Sequence, residues 1–493
     1  MKSRTIRPSF VATLVFCLSC AARAEVRLPA LFSDNMVLQQ KLAAPVWGWA
    51  DEGEEVKVTF RGKTTKTKAN NGKWMVKLAR LEAGGPDDLI VEGKNRIEIK
   101  NVLVGEVWVA SGQSNMEWPL KSSYESASDI AACANPQLRI FLVQKAKANT
   151  PLEDVKGQWK ECNPTSVPGF SAVAYYFGRD LQKARQTPVG LIGTYWGGSP
   201  AEVWMSQQAL EANPDYKREI LDVYAEAVRK AEGKDPKEAK LGWKPTELYD
   251  GMIAPVIPYG IKGAIWYQGE SNAGRAEQYR SLFADMIRNW RHDWGQGDFT
   301  FLAVQIAPWD KNKKRSLETI TEKTGDSDWA ELREAQWLAT RNLPKVGMAV
   351  ITDVGDKDDI HPTKKEAVGA RLALAARGIA YDEKIEYSGP IYKKMRVKDN
   401  EAVLTFDHVD GGLVADGGEL KGFSICGPDK NFVWAHAEIR GDTVVVSSPQ
   451  ISQPVAVRYG WADFPVVNLW NKSRLPASPF RTDDFPMITA RKK

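Results

Sequence analysis

The chain has 493 residues, 26% of them charged and 43% hydrophobic; that is too long for one ordinary core and too balanced for a disordered or fibrous protein. Four of the five units of its formal charge of +5 reside in the first 24 residues: without Lys2, Arg4, Arg7 and Arg23 the balance is 63 basic to 62 acidic, or +1. No basic tract remains to argue for nucleic acid.

Residues 1–24 read as an export signal. A basic start precedes an apolar segment over 10–20 that is too short to span a bilayer, and Ala22-Arg23-Ala24 fits the small-x-small cleavage rule. The protein is therefore expected to be periplasmic or secreted. No later segment has about 18 uninterrupted apolar residues, so no membrane span is expected. Export permits disulfides, and Cys133 and Cys162 could pair, leaving Cys426 as a buried thiol. Such a bridge would add roughly 3–4 kcal/mol in the chain-entropy model. No C-x-x-C or paired Cys/His spacing points to a metal, and no cofactor is implied.

Residues 25–101 carry short β patterns at 45–49, 55–60, 74–78 and 95–99, with a strong turn at Asn70-Asn71-Gly72. This segment reads as an N-terminal β-sandwich domain. Over 102–382 apolar strands alternate with helices. The strands fall at 106–110, 189–195, 263–267, 299–306 and 347–353. Helical patterns fall at 172–183, 216–230, 276–294, 329–341 and 364–377. Continuous apolar strands between helices imply a parallel sheet covered on both faces, a three-layer α/β/α domain. Over 383–493 strands return, with turns at Asp410-Gly411-Gly412 and Arg440-Gly441-Asp442, giving a C-terminal β-sandwich region.

The most telling stretch is VGEVWVASGQSNMEWP over 104–119. Strand, glycine turn and exposed hydroxyl are how an α/β protein presents a nucleophilic serine above its sheet. Ser114 needs a base, a group orienting that base, and donors for an oxyanion. The chain has four histidines. His292 lies in a helical run, and His408 and His436 lie in the C-terminal region. His361 alone follows a sheet strand and opens a helix, which places it on the same edge as Ser114. Its loop carries Asp353, Asp356, Asp358 and Asp359. Asp358, three residues before the histidine, is favoured as the orienting acid, with the other three open. Four carboxylates could also form a solvated loop or a cation site. Two further strand ends, TYWGGSP at 194–200 and WYQGESN at 266–272, offer oxyanion donors: the backbone N–H of Ser114 and Gly198, and the amide of Gln268 or Asn272. Trp118, Trp196 and Glu270 beside these motifs are substrate-binding candidates. Tyr195, Trp204 and Trp266 could also shape a sugar subsite, since indoles pack well on sugar C–H faces, although some of these aromatics must be core.

GQSNM at 112–116, GGSPAEVW at 197–204, IWYQGESN at 265–272 and DIHP at 359–362 together resemble the SGNH-hydrolase superfamily. More closely, with LFSDNMVLQ at 31–39, they resemble sialate O-acetylesterase-like carbohydrate esterases. The resemblance implies a serine esterase that removes acetyl groups from sugars. In it Ser114 is the nucleophile, His361 the base, an acid three residues before it the helper, and Gly198 and the Gln268 segment the oxyanion donors. The usual G-x-N-D block is replaced here by Gln268-Gly-Glu-Ser-Asn272. Two competing expectations are a non-catalytic carbohydrate-binding protein that uses its β regions, and metal-dependent hydrolysis through the acidic loop. The lack of His/Cys clusters weighs against the second.

Overall fold

The computed structural model describes residues 25–234, 241–312 and 314–490; the export signal expected over 1–24 lies outside them. Its organising element is one strand, Arg96–Gly112. The first residues of this strand alternate between exposed and covered, whereas every residue from Val102 onward is buried. That change marks a passage from a sheet with one wet face to a sheet covered on both. Asn101 sits at the change with φ +57°, a left-handed conformation that asparagine tolerates better than most residues.

The first half pairs antiparallel with Gly84–Glu92, which pairs in turn with Glu55–Phe60. The second half is the centre of a sheet ordered Val346–Ala349, Thr300–Val304, Gly263–Tyr267, Arg96–Gly112, Val189–Tyr195, Asn135–Leu142, Trp159–Cys162. Neighbours are parallel except for the last pair. No linker separates the N-terminal β region from the α/β region, because the expected boundary at 101/102 falls inside this continuous strand.

Alternate strand residues enter two different cores. Val107, Val109, Ala264, Trp266, Phe301 and Ala303 pack with the helices Ala276–Trp294 and Asp328–Asn342. Trp108, Ala110, Ile265, Tyr267, Leu302 and Val304 pack with Ala172–Arg185 and Lys365–Ala380. The protein is thus mixed α/β with a mostly parallel central sheet. From the long strand the chain first builds the Val189 side, then crosses to build the Gly263 side. The carboxyl end of the long strand is therefore a topological switch point, where crossovers diverge and leave a crevice. Gly112 is in register with both Tyr195 and Tyr267, so three strands end at one level. Gly112 has φ +136°, and a Cβ there would lie 2.2 Å from the Tyr267 carbonyl oxygen. Only glycine fits that close approach.

Residues from Ile391 onward form two four-stranded antiparallel sheets and the two-stranded pair Leu413–Ala415 and Leu469–Asn471, around a core that includes Leu404, Ile425, Val446 and Tyr459. This region is fastened to the sheet domain by polar groups, above all the buried Arg333. Among the described residues no helix is long and apolar enough to cross a membrane. Cys133 and Cys162 are both buried and adjoin, the Cys162 thiol donating to the Cys133 carbonyl at 3.3 Å.

Candidate active site

Ser114 begins a single helical turn, Ser114–Glu117, directly beyond Gly112. The turn is anchored through Gln113: its N–H donates to the Tyr267 carbonyl at 3.0 Å, and its carbonyl accepts from Met116 and Glu117 at 2.9 Å each. The serine is thereby lifted above the sheet edge. Ser114 Oγ lies 2.8 Å from His361 Nε2, across 247 residues of sequence. His361 sits in the loop between the strand Val346–Ala349 and the helix Lys365–Ala380. The indole of Trp118 stacks on its imidazole, with centroids 5.6 Å apart and planes at 19°. Burial lowers the imidazole pKa below 6.5; the Asp359 carboxylate opposes that shift and the Lys365 ammonium adds to it. A neutral ring able to take a proton at pH 7 is the consequence.

The four acids of the loop have four different partners. Asp353 forms a bidentate pair with Arg371 at 2.6 and 2.7 Å. Asp356 accepts from the backbone N–H groups of Asp358 and Asp359. Asp358, the favoured orienting acid, accepts from Lys357 Nζ at 2.6 Å and from the Lys314 N–H at 2.9 Å. The Lys357 ammonium holds its carboxyl below the usual range. The carboxylate facing the histidine is that of Asp359. One oxygen lies 3.6 Å from Nδ1, an ion-pair separation longer than a hydrogen bond, and accepts from the His361 N–H at 2.8 Å. A chain that turns within two residues brings the −2 side chain, not the −3, back onto the ring. Among the described residues no group of three His, Cys, Asp or Glu is placed to hold a metal.

The expected oxyanion donors separate into backbone and side chain. Gly197 runs beside the serine, and a Cβ there would be 3.2 Å from Ser114 Cβ. Its N–H donates to Glu117 at 2.7 Å. Gly198 follows with φ +75°, exposed and with nothing within 4 Å of where a side chain would start. Its backbone is open to a ligand. The two amides are committed elsewhere. Asn272 donates to Glu202 and accepts from Ala201 N–H and Gln268 Nε2, while Gln268 also donates to the Ser199 carbonyl and accepts from Tyr279. Both are buried and brace the loops behind the site.

The indoles divide in the same way. Trp204 and Trp266 are fully buried and meet edge to face, and Tyr195 is buried with its hydroxyl on the Ser171 N–H. These three are core. Trp118 and Trp196 remain half-buried at the mouth. Trp196 meets Trp243 at 5.6 Å and 87°. Lys147 lies over Trp243, and Lys145 lies over Trp196 while pairing with Glu117. Glu270 points beneath the serine rather than toward the mouth. One carboxylate oxygen accepts from Asn115 Nδ2 at 2.7 Å and the other is buried without a protein partner. Burial pushes its pKa up. Asn115 and Lys365 were both missed. In the sequence Asn115 is one polar residue of the turn after Gly112, and nothing marks Lys365.

Comparison with known proteins places this geometry. The family model described as carbohydrate esterase, sialic acid-specific acetylesterase, matches residues 104–377, from the long strand to the helix after His361. Sialate O-acetylesterases from Pongo abelii and Homo sapiens are each 30% identical over 520 residues, covering 95% of both chains. The crystal structure of a carbohydrate acetylesterase from Xanthomonas citri superposes with a TM-score of 0.82 at 40% identity, over 94% of this chain and all of that one. With a serine and a histidine in contact at the switch point and the match extending over nearly the whole chain, the protein belongs to the sialic acid-specific acetylesterase family of carbohydrate esterases.

Proposed function

We propose that this chain is an exported serine esterase that removes O-acetyl groups from sugars or glycans through an acetyl-enzyme intermediate, on a catalytic domain of SGNH-hydrolase type. The observation that carries the reading is the 2.8 Å contact between Ser114 Oγ and His361 Nε2 at the carboxyl edge of the sheet. His361, in its Nδ1–H tautomer, takes the serine proton as Oγ bonds to the acetyl carbonyl carbon. Asp359, with its carboxylate near Nδ1, stabilises the imidazolium that forms. The oxyanion faces the backbone N–H groups of Ser114 and Gly198, which are donors fixed before reaction begins. Collapse breaks the bond to the sugar oxygen, and His361 returns its proton to that oxygen. Water, deprotonated by His361, then attacks the acetyl-serine; acetate leaves and Ser114 is restored. Trp118 and Trp196 flank the mouth and suit the apolar faces of a sugar ring. Export rests on the composition of residues 1–24.

Acetate release should be measured from 4-nitrophenyl acetate and from a panel of O-acetylated sialic acid, xylan and xyloglucan. Ser114→Ala should lose activity by at least 10³-fold, as loss of a nucleophile does, with its melting curve unchanged. Activity retained in that variant would overturn the assignment. Glycan binding by the wild type without acetate release from any member of the panel would favour a binding protein instead.

A further inference from the structure

Asn115 follows the nucleophile directly, is 0% exposed, and makes three side-chain hydrogen bonds to three segments of the site. Its Nδ2 donates to Glu270 Oε1 at 2.7 Å and to the Ile360 carbonyl at 3.0 Å; its Oδ1 accepts from Lys365 Nζ at 2.5 Å. Ile360 is the residue before His361, Lys365 opens the helix four residues after it, and Glu270 stands just beyond the strand Gly263–Tyr267. The amide therefore ties the serine turn to both flanks of the histidine and to the neighbouring strand end. We infer that Asn115 is a positioning residue that holds Ser114 at attacking distance from His361, with Lys365 and Glu270 as the arms that fix its orientation. This rests on the reading of Ser114 as nucleophile.

Two features of the network argue for a role beyond packing. Lys365 is 1% exposed, and a buried ammonium and carboxylate on either side of a neutral amide form a costly arrangement that an apolar side chain would replace without loss of stability. The lysine also touches what supports each reacting group: its ammonium lies 5.2 Å from the ring centre of Tyr267, whose carbonyl anchors Gln113, and 5.9 Å from that of Trp118, which stacks on His361. With both arms in place the amide cannot flip, because its oxygen faces a cation and its nitrogen an anion.

Charge gives the network an effect that can be read apart from structure. The charged groups acting on His361 are Asp359 and Lys365, and those acting on Lys365 are Glu270 and Asp359. Burial pushes Lys365 down to about 7, so it is mostly protonated at the pH where His361 titrates. There its cation disfavours the imidazolium. Removing the cation raises the histidine pKa and moves the acid limb of kcat/KM to higher pH.

The test uses the full chain with Lys365→Met, Glu270→Gln, Asn115→Asp and Asn115→Ala, with Ser114→Ala as control. Steady-state kinetics on 4-nitrophenyl acetate should show kcat falling about 10–100-fold, the scale of a misplaced reacting group, with KM changing less than about threefold. Asn115→Asp should be as damaging as Asn115→Ala, since the carboxylate cannot donate to Ile360 or Glu270. In Lys365→Met the acid limb should move up. Glu270→Gln keeps the shape but removes the charge that fixes the amide nitrogen and lets the new amide turn a donor toward it, so it carries the test if a larger change prevents folding. If Ser114→Ala is inactive while Lys365→Met and Glu270→Gln keep kcat within about twofold and the acid limb stays in place, the positioning role is wrong and the nucleophile stands. An active Ser114→Ala removes the reading beneath it.

Discussion

At the scale of single residues, the site is decided by which carboxylate and which amide face the chemistry. Asp358 and Asp359 are adjacent and chemically identical, yet one is held by Lys357 and the Lys314 backbone and the other faces Nδ1 of His361. No spacing rule separates them, because the choice depends on where a loop residue turns. Replacement by asparagine should tell them apart. On the proposed mechanism Asp359→Asn removes the charge that stabilises the imidazolium and should lower kcat/KM by roughly tenfold or more. Asp358→Asn should stay within about threefold of wild type. Parallel kinetics on the two variants check this, and equal losses would mean that the loop acts as a unit. Ser114, His361 and Gly198 stand out in the sequence because each follows an apolar strand, and the structure brings the first two into contact. Gln268, Asn272 and Glu270 share a common ambiguity in the sequence. Polar residues at a strand end either face the crevice or brace the loops behind it, and only the partners Glu202, Tyr279 and Asn115 reveal which.

At the scale of elements, the strand read at 263–267 and the helix read at 276–294 match Gly263–Tyr267 and Ala276–Trp294 in the structure. Apolar runs with clear period and firm ends explain that agreement. The strands Asn135–Leu142 and Trp159–Cys162 went unread, because Pro136, Arg139 and Lys160 break their apolar character at the sheet's margin. Arg139 is buried there with its guanidinium on Asn35 and Asn101 side chains, a polar contact that a hydrophobic pattern does not announce. The long strand was read as two because charged residues alternate along its first half and Asn101 interrupts it. Its end is the element on which the site most depends. In Gly112→Ala the new methyl would meet the Tyr267 carbonyl, and alanine is strained at φ +136°. The strand end must shift, carrying Ser114 with it. A loss of about 2–4 kcal/mol in unfolding free energy is expected, together with a fall in kcat. Denaturant melts and acetate release on the same preparation measure both, and a variant with wild-type stability would show that the close approach is not needed.

At the scale of the whole molecule, the C-terminal sheets have an apolar core of their own, and the tail enters a core of the sheet domain through Met487, so polar groups do much of the joining. Arg333, 0% exposed, reaches four carbonyls with one guanidinium: Ile306 and Ala307 after the strand Thr300–Val304, and Ala462 and Asp463 of the C-terminal region, at 2.7–3.3 Å. Desolvation pushes its pKa down to about 10, so it remains charged at neutral pH. Arg481 and Arg280 add a second tie through Glu334. The join lies behind the sheet edge, on the helix Asp328–Asn342, and not at Ser114. Arg333→Met keeps much of the volume and strips every donor, leaving the buried carbonyls of Ile306 and Ala462 short of partners while Ala307 and Asp463 keep those from the Trp329 indole and the Trp309 N–H. At roughly 1–3 kcal/mol for each buried group left unsatisfied, and with some relaxation, the loss should be on the order of 3–5 kcal/mol. For a protein of this size that is a fall in Tm of about 3–5 °C. The exposed Arg440→Met, on a hairpin of the same region, should shift Tm by less than about 2 °C. Differential scanning calorimetry gives both values. At 25 °C, well below either transition, Arg333→Met should release acetate at close to the wild-type rate, because the crevice is built by the strand ends and not by the C-terminal sheets. A variant that melts normally would refute the tie, and one that folds but loses activity at 25 °C would mean that the C-terminal region helps to shape the crevice.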